Sequence, residues 1–372
     1  MGGKKNKFKI LSGIILMTAS IILTIANLSV NKIDRIIEWN NYYNEDNIVF
    51  FYEESSNEKL NKLNTEYNLK EEVSEISSEF EKVLKAVKVL DNMVSVKDIK
   101  NTGLNNGYDI LKTKTQSKQV SFKDMAIIAR DFVNTIGLKS RIGVFRIGDS
   151  KYQSEFEYYV LEYWSNEYNK WIMIDFTDAG CFEDEQGKLS AIEVINNDIK
   201  DIFYIGETSQ FDYKNKISKF LDSYTISIEN SNEKKRSNCN VTYIKNESAL
   251  EYKIKGQVIS PTVFTTETKL FEKSPFNKLV GHDEKAYMLI CGSISNQDKI
   301  EYDQKKNKDK NKIYISAFQN DGVLESFYLR VNGSEYEEVE YNKEIELKKG
   351  ENMIELSIDG KNTVSSFIIE KE

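Results

Sequence analysis

Between Leu60 and Thr177 the hydrophobic spacing of the chain changes once, from three-and-four to two, and this order narrows the fold further than any other feature. Val73, Ile76, Phe80, Val83, Leu84, Val87 and Leu90 recur at helical spacing with Glu and Lys opposite, so Leu60 to Leu90 is expected as a core-facing helix. Thr102 to Asn106 reads as a loop, and "DILKTKTQ" as a short helix and turn. Ser121 then opens a helix as N-cap, with Asp124 at the capping-box position and Gly137 as its stop. Phe122, Met125, Ala126, Ala129, Phe132, Val133 and Ile136 give that helix a continuous face for burial. Three strands follow, "SRIGVFRIG", "FEYYVLEYW" and "KWIMIDFT", the last two separated by the turn "SNEYN". Strands joined by tight turns must pair antiparallel, so helices first and strands second predict an α+β domain. Short helical segments at "AIEVINNDIK" and "KNKISKFLD" extend this domain, which is expected over residues 33–222.

Beyond it the texture changes. Residues 223–302 carry short Tyr, Ile and Val runs between polar turns, and hold both prolines, Pro261 and Pro275. Residues 303–312, "DQKKNKDKNK", read as a solvated lysine-rich linker. In residues 313–372, strands alternate with turn signals at Asn320-Asp321-Gly322, Asn332-Gly333, Gly350 and Asp359-Gly360, which predicts a small β-sandwich. Through "VNG" and "KKGENMIEL" this last stretch resembles the immunoglobulin-like modules of bacterial surface proteins, which act more often as spacers than as catalysts.

Residues 10–30, "ILSGIILMTASIILTIANLSV", carry no charge, and a helix of that length spans roughly 30 Å, the thickness of a bilayer core. Lys4, Lys5, Lys7 and Lys9 precede the segment, whereas Lys32, Asp34 and Arg35 follow with mixed sign. The positive-inside bias therefore puts a tail of residues 1–9 in the cytoplasm and the bulk of the chain outside, as a single-pass protein of the cell membrane. A cleaved signal peptide is the rival reading, since Thr24 and Ala26 have the spacing of a cleavage site, but the run exceeds an ordinary signal core. The Lys, Asn and Ile bias points to a low-GC Gram-positive bacterium, and so to a place beside the cell wall.

Removing the four N-terminal lysines from the 51 basic residues leaves 47 against 59 acidic ones, a net charge of −12 for the exported part. That argues against nucleic acid and anionic lipid as partners of this part, leaving the N-terminal helix as the membrane contact. Three cysteines, Cys181, Cys239 and Cys291, are too few for a disulfide scaffold. Cys239 and Cys291 could pair outside the cell or stand as separate buried thiols. With His282 as the single histidine, no His-rich or Cys-rich zinc site assembles, and neither a metal nor a cofactor is expected.

Residues 57–178 resemble the transglutaminase-like domain of the papain-like Cys-His-Asp superfamily. In that family the central helix reads Cys-x-Asp-x-Ala and is followed by Gly-hydrophobic-x-x-Arg; Asp124, Ala126, Gly137, Leu138 and Arg141 stand at the matching places. The family's His-x-Trp-x-Glu falls on Tyr158, Val160 and Glu162, and its Trp-x-x-x-Asp-x-Thr on Trp171, Asp175 and Thr177. The nucleophile's position is Phe122 and the base's is Tyr158, so only the acid, Asp175, remains of the triad. The resemblance thus implies the fold without its chemistry. A thiolate at a helix N-terminus beside an imidazolium drives acyl transfer in such enzymes, and Phe122 has no nucleophilic atom. A phenol titrating near pH 10 is a poor general base at neutrality.

On this reading Phe122 packs near Tyr158 and closes the old site, while Tyr158 turns its hydroxyl toward Asp175. Substitutes for the lost catalyst are few. Cys181 has Asp178, Glu183, Asp184 and Glu185 as neighbours, which suppress a thiolate, and His282 falls in another expected domain. Glu155, Glu157, Glu162 and Asp175 could supply an acid–base pair for sugar hydrolysis. Two function classes follow: a non-catalytic, membrane-anchored binding or scaffold protein of the cell envelope, and an envelope hydrolase or acyl transferase with an unrecognised site. For the first, Tyr159, Trp164 and Trp171 are candidate contacts to a peptide or carbohydrate, although alternation along the strand would bury every second ring.

Overall fold

The computed structural model describes residues 35–114, 117–147, 157–233, 236–245, 261–277, 281–291, 312–320 and 322–371. The expected cytoplasmic tail, the apolar segment 10–30, Glu155 and residues 303–311 of the lysine-rich stretch lie outside them. Among the described residues no helix is long and apolar enough to cross a membrane.

The helical spacing from Leu60 to Leu90 is divided among three helices, Glu58–Tyr67, Leu69–Glu72 and Glu79–Asp91. Asn68 ends the first in the left-handed conformation at φ 52°, which Asn tolerates better than most residues. Ser78 starts the last by accepting from the Glu81 amide. The helix Phe122–Thr135 begins at Ser121, whose Oγ accepts the Asp124 amide at 3.0 Å. Gly137 follows its end at φ +96°, a conformation open to glycine at little cost. Instead of turning back to Ser121, the Asp124 carboxylate takes the Thr102 amide and hydroxyl, the latter at 2.7 Å, and ties the preceding loop to the helix. The short helix Gly107–Thr113 packs closely against it; a Cβ on Gly107 would lie 3.0 Å from the Ile128 Cα, so the approach leaves little room for a side chain there.

A six-stranded sheet lies beside these helices, in the order Thr262–Thr265, Asn240–Ile244, Ser223–Ser227, Ser140–Arg146, Glu157–Ser165, Lys170–Ile174. All neighbours are antiparallel except the first two strands, which run parallel. Pleating divides the side chains of strand 157–165 between two cores. Tyr159, Leu161 and Tyr163 face the helices, together with Ile172 and Ile174 of the next strand, and meet Leu90, Ala129 and Phe132. Tyr158, Val160 and Trp164 turn the other way with Trp171 and Met173, into an aromatic cluster that includes Tyr43, Phe50, Tyr52, Tyr213, Tyr224 and Phe271. Both faces are covered, which is why this strand shows no polar face in the sequence.

The expected boundary at residue 222 is corrected by this sheet, because strands 223–227, 240–244 and 262–265 complete it instead of forming a separate β-rich region. A second unit is a sandwich. One sheet runs Arg35–Asn40, Thr363–Lys371, Gly350–Ser357, Ser326–Val331, Glu337–Glu340. In the other, Lys312–Gln319 pairs with Tyr287–Cys291, with Gly322–Val323 and with Lys343–Glu346. The sandwich therefore extends beyond 313–372: it recruits strands 35–40 and 287–291, and Lys312, expected in the linker, already lies in a strand. The recruitment has a physical basis. Strand 35–40 covers the otherwise open edge of 363–371, with Trp39 stacked on Phe367 at 5.1 Å, and Met288 enters the core beside Phe327 and Phe367. The turn signals hold, with Asn320, Asn332, Gly333, Gly350 and Gly360 all at positive φ.

Candidate functional site

Asp175 follows the edge strand Lys170–Ile174 and is fully buried. Its Oδ1 accepts the Thr177 amide and hydroxyl, both at 2.7 Å, and its Oδ2 accepts the Tyr213 hydroxyl at 2.8 Å and the Tyr158 hydroxyl. A carboxylate has about four lone-pair directions, so these donors saturate it. Tyr158 thus stands where the resemblance would put a histidine and donates to the acid that would have oriented it. Burial raises the Tyr158 phenol well above its ordinary range, and the charge of Asp175 raises it further. Tyr213 is raised in the same way by the same causes. Both phenols therefore serve as neutral donors, and neither is a base at physiological pH.

The network continues around Asp175. Tyr204 stacks on Tyr213 with ring centroids 3.4 Å apart, and donates to Asp178, which also takes the Thr208 amide and hydroxyl. Gly180 and Gly206 leave room for the Tyr204 ring; a Cβ at Gly180 would meet its hydroxyl at 2.1 Å. The Lys216 ammonium lies 5.0 Å from the Tyr158 ring centroid, and Phe220 packs 5.4 Å from it. The helix Gln210–Ile217 brings Tyr213 and Lys216 here.

A second buried constellation joins Arg141 and Glu162, which face each other across neighbouring strands. Both are fully buried; Arg141 Nε donates to Glu162 Oε2 at 2.7 Å, and Arg141 Nη2 to the Phe271 carbonyl at 2.6 Å. Glu162 also takes the Tyr224 hydroxyl at 2.6 Å and the Ala191 amide at 2.9 Å. The guanidinium lies 4.0 Å from the Trp171 ring centroid. Burial works most strongly against its charge, but Glu162 together with the neighbouring Tyr52 and Tyr224 phenols outweighs it and holds the Arg141 pKa above its ordinary value. Burial pushes Tyr52, whose ring packs 5.4 Å from Trp171, up to about 12, with Arg141 acting in the opposite direction. Gly143 permits the Tyr224–Glu162 bond, since a Cβ there would lie 2.1 Å from the Tyr224 hydroxyl.

Several sequence expectations are corrected here. Phe122 is 43 % exposed and belongs to no core cluster, and no ring contact joins it to Tyr158 among the described residues. Burial of the helix begins at Asp124 and Met125, whereas Tyr158 points into the cluster on the sheet face turned away from that helix. Phe122 therefore does not close a site. Trp164 and Trp171 are not ligand contacts either: they form a buried cross-strand pair with centroids 5.6 Å apart, and Trp171 Nε1 donates to the Lys273 carbonyl. Tyr159 is half-buried on the helix face and donates to Glu157 at 2.5 Å.

The substitute catalysts fare no better. Burial pushes the Cys181 thiol up to about 11, with Lys188 lowering it and Glu183 raising it. Hence burial, more than its acidic neighbours, suppresses the thiolate. His282 lies in the sandwich-side segment beside Asn47, which donates to its carbonyl. The carboxylates considered for sugar hydrolysis are engaged, Glu157 with Arg146 at 2.8 Å, Glu162 with Arg141, and Asp175 as above. Among the described residues no group of three or more His, Cys, Asp or Glu side chains converges as metal ligands. Tyr213 is the participant that sequence reasoning missed, because it arrives on a short polar helix whose spacing marks no partner.

No protein-family profile matches the chain, and no curated protein matches it. Among solved structures, a candidate protease from Parabacteroides distasonis is similar over 41% of this chain and 28% of its own, at 13% identity and a TM-score of 0.24. A similarity of that size carries no argument about fold or activity.

Proposed function

We propose that this chain is a non-catalytic, membrane-anchored binding or scaffold protein of the bacterial cell envelope, built on a transglutaminase-like domain that has become a structural support. The observation that carries the reading is the saturation of Asp175 by Tyr158, Tyr213 and Thr177. In a Cys-His-Asp enzyme this carboxylate must accept from an imidazole that cycles between base and acid. Here it accepts from phenols that burial keeps neutral. The letters retained from the family pattern support the same view, since Arg141, Glu162 and Trp171 hold one another in the core and Asp175 holds Thr177. What remains is the part of such a domain that gives shape, while Phe122 and Tyr158 occupy the positions that gave chemistry.

The uncharged segment 10–30 with its preceding lysines supports the anchor, and the sandwich supports a spacer role. Protease added to intact spheroplasts is expected to digest the chain beyond about residue 35. A mature N-terminus at Asn27 would replace the anchor by a cleaved signal, and full protection of the sandwich would reverse the topology.

A further inference from the structure

We infer that the outer face of the five-stranded sheet in the β-sandwich binds an amino-sugar polysaccharide, stacking its sugars on Tyr328 and Tyr336 and drawing its amines with Glu338 and Glu351. This rests on the binding reading proposed above and gives it a ligand class. Pleating divides the side chains of the sheet between two faces. Phe327, Leu329, Ile354, Leu356 and Phe367 turn into the sandwich core. The alternate residues turn outward: Met353 is 37 % exposed, Glu338 and Glu351 are exposed, and Tyr328 and Tyr336 are half-buried. Met353 stands opposite Ile368 and Arg330 opposite Glu355, so the face mixes apolar, aromatic and charged groups across three strands.

Both rings are held in place by the protein itself. Arg330 Nε donates to Glu355 Oε2 at 2.7 Å, and the guanidinium backs Tyr336 with its centre 4.6 Å from the ring centroid. The Tyr336 and Thr363 hydroxyls lie 2.6 Å apart, and Thr363 donates to Glu355 Oε1 at 3.1 Å. Tyr328 is backed by the turn at Gly360, where a Cβ would come within 3.2 Å of its Cδ1. Tyr328 is in register with Glu338, and Tyr336 precedes Glu338 by two residues, so the two rings are diagonal neighbours about 7 to 8 Å apart. Rings fixed in this way lose little freedom on binding. Each offers an apolar face to a sugar ring and a hydroxyl to its edge.

Charge selects among glycans. The Arg330 guanidinium is engaged by Glu355, and so leaves no free cation at the centre of the face. Glu338 stands opposite Tyr328 and accepts the Ser326 hydroxyl at 2.9 Å, while Glu351 stands opposite Glu370, with Arg35 next in the row. The face is therefore acidic on balance, which repels polymers bearing phosphate or carboxylate and attracts a chain bearing ammonium groups. An amino-sugar chain meets both demands, since it supplies rings to stack and cations to pair.

The test is calorimetric titration of the full chain in phosphatidylcholine vesicles with a glucosamine pentamer, its N-acetylated counterpart and pentalysine. The glucosamine pentamer should bind several-fold more tightly than either of the others. Tyr328→Ala combined with Tyr336→Ala should weaken it several-fold, and so should Glu338→Gln, whose exposed side chain should leave the melting temperature within about 2 °C of the parent. Absence of binding, equal binding of pentalysine or of the N-acetylated pentamer, or binding that survives both variants would overturn the inference while leaving the non-catalytic reading intact. Acyl transfer by the parent protein would instead overturn that reading, whatever the glucosamine pentamer does.

Discussion

Replacing Glu162 by leucine isolates the buried ion pair on which the central sheet closes. Arg141 would keep its charge in a fully buried place with only the Phe271 carbonyl as a hydrogen-bond acceptor. An uncompensated buried charge costs about 3 to 5 kcal/mol. The Tyr224 hydroxyl and the Ala191 amide would also lose their acceptor, each a penalty of about 1 to 3 kcal/mol where no water replaces it. For a domain of this size about 1 kcal/mol moves the melting temperature by about 2 to 4 °C, so Glu162→Leu should lower it by at least about 6 °C. Trp171 fluorescence is the assay, because the indole lies against the guanidinium. Arg141→Met added to Glu162→Leu should recover part of the loss by removing the stranded charge, though not the orphaned donors. A single variant melting within about 2 °C of the parent would refute the burial of the pair, as would a double variant less stable than the single one.

Phe122→Ala should change stability by no more than about 0.5 kcal/mol, since the ring is exposed, whereas Tyr158→Phe should cost about 1.5 to 3 kcal/mol through the lost bond to a charged acceptor; urea unfolding separates the two. Residues 313–372 expressed alone should show no cooperative melting, because strands 35–40 and 287–291 of the sandwich are missing. For Tyr158, Tyr204 and Tyr213 the folded pKa values are raised, so their stabilisation is complete below the unfolded value near 10 and declines as pH rises above it. Absorbance at about 295 nm should accordingly rise in two stages, with these three phenols ionising only as the domain unfolds. Iodoacetamide at mildly alkaline pH should leave Cys181 unmodified in the folded protein and alkylate it in urea.

Local structure is legible in the sequence where a single residue decides the backbone. Ser121 caps its helix, Gly137 ends it, and the Asn-Gly and Asp-Gly turns stand where expected, because each depends on its own conformational freedom or side-chain oxygen. The breaks within Leu60 to Leu90 are hidden for the converse reason: spacing measures which face is apolar, not whether Asn68 and Ser78 interrupt the backbone. Strand 35–40 pairs with 363–371 across nearly the whole chain, and no periodicity encodes a partner at that distance. Phe122 matched the apolar pattern of its helix yet lies at its first turn, where the core has not yet closed over the face. Tyr158 and Trp171 illustrate a different limit. Aromatic strands with a polar handle suit a binding surface or a doubly covered core equally, and only the packing of residues 43–52 and 191–217 onto that face decides for the core.

The central claim is that Asp175 holds structure and takes part in no acyl transfer. It is tested most directly by incubating the membrane-bound protein with a glutamine-containing acyl donor and a fluorescent primary amine, beside an Asp175→Asn variant. Both proteins should incorporate no more amine than empty vesicles, and Asp175→Asn should differ from the parent only in melting temperature, since Asn keeps an acceptor but loses the charge that Tyr158 and Tyr213 face. Amine incorporation by the parent that the Asp175→Asn change abolishes would contradict the account.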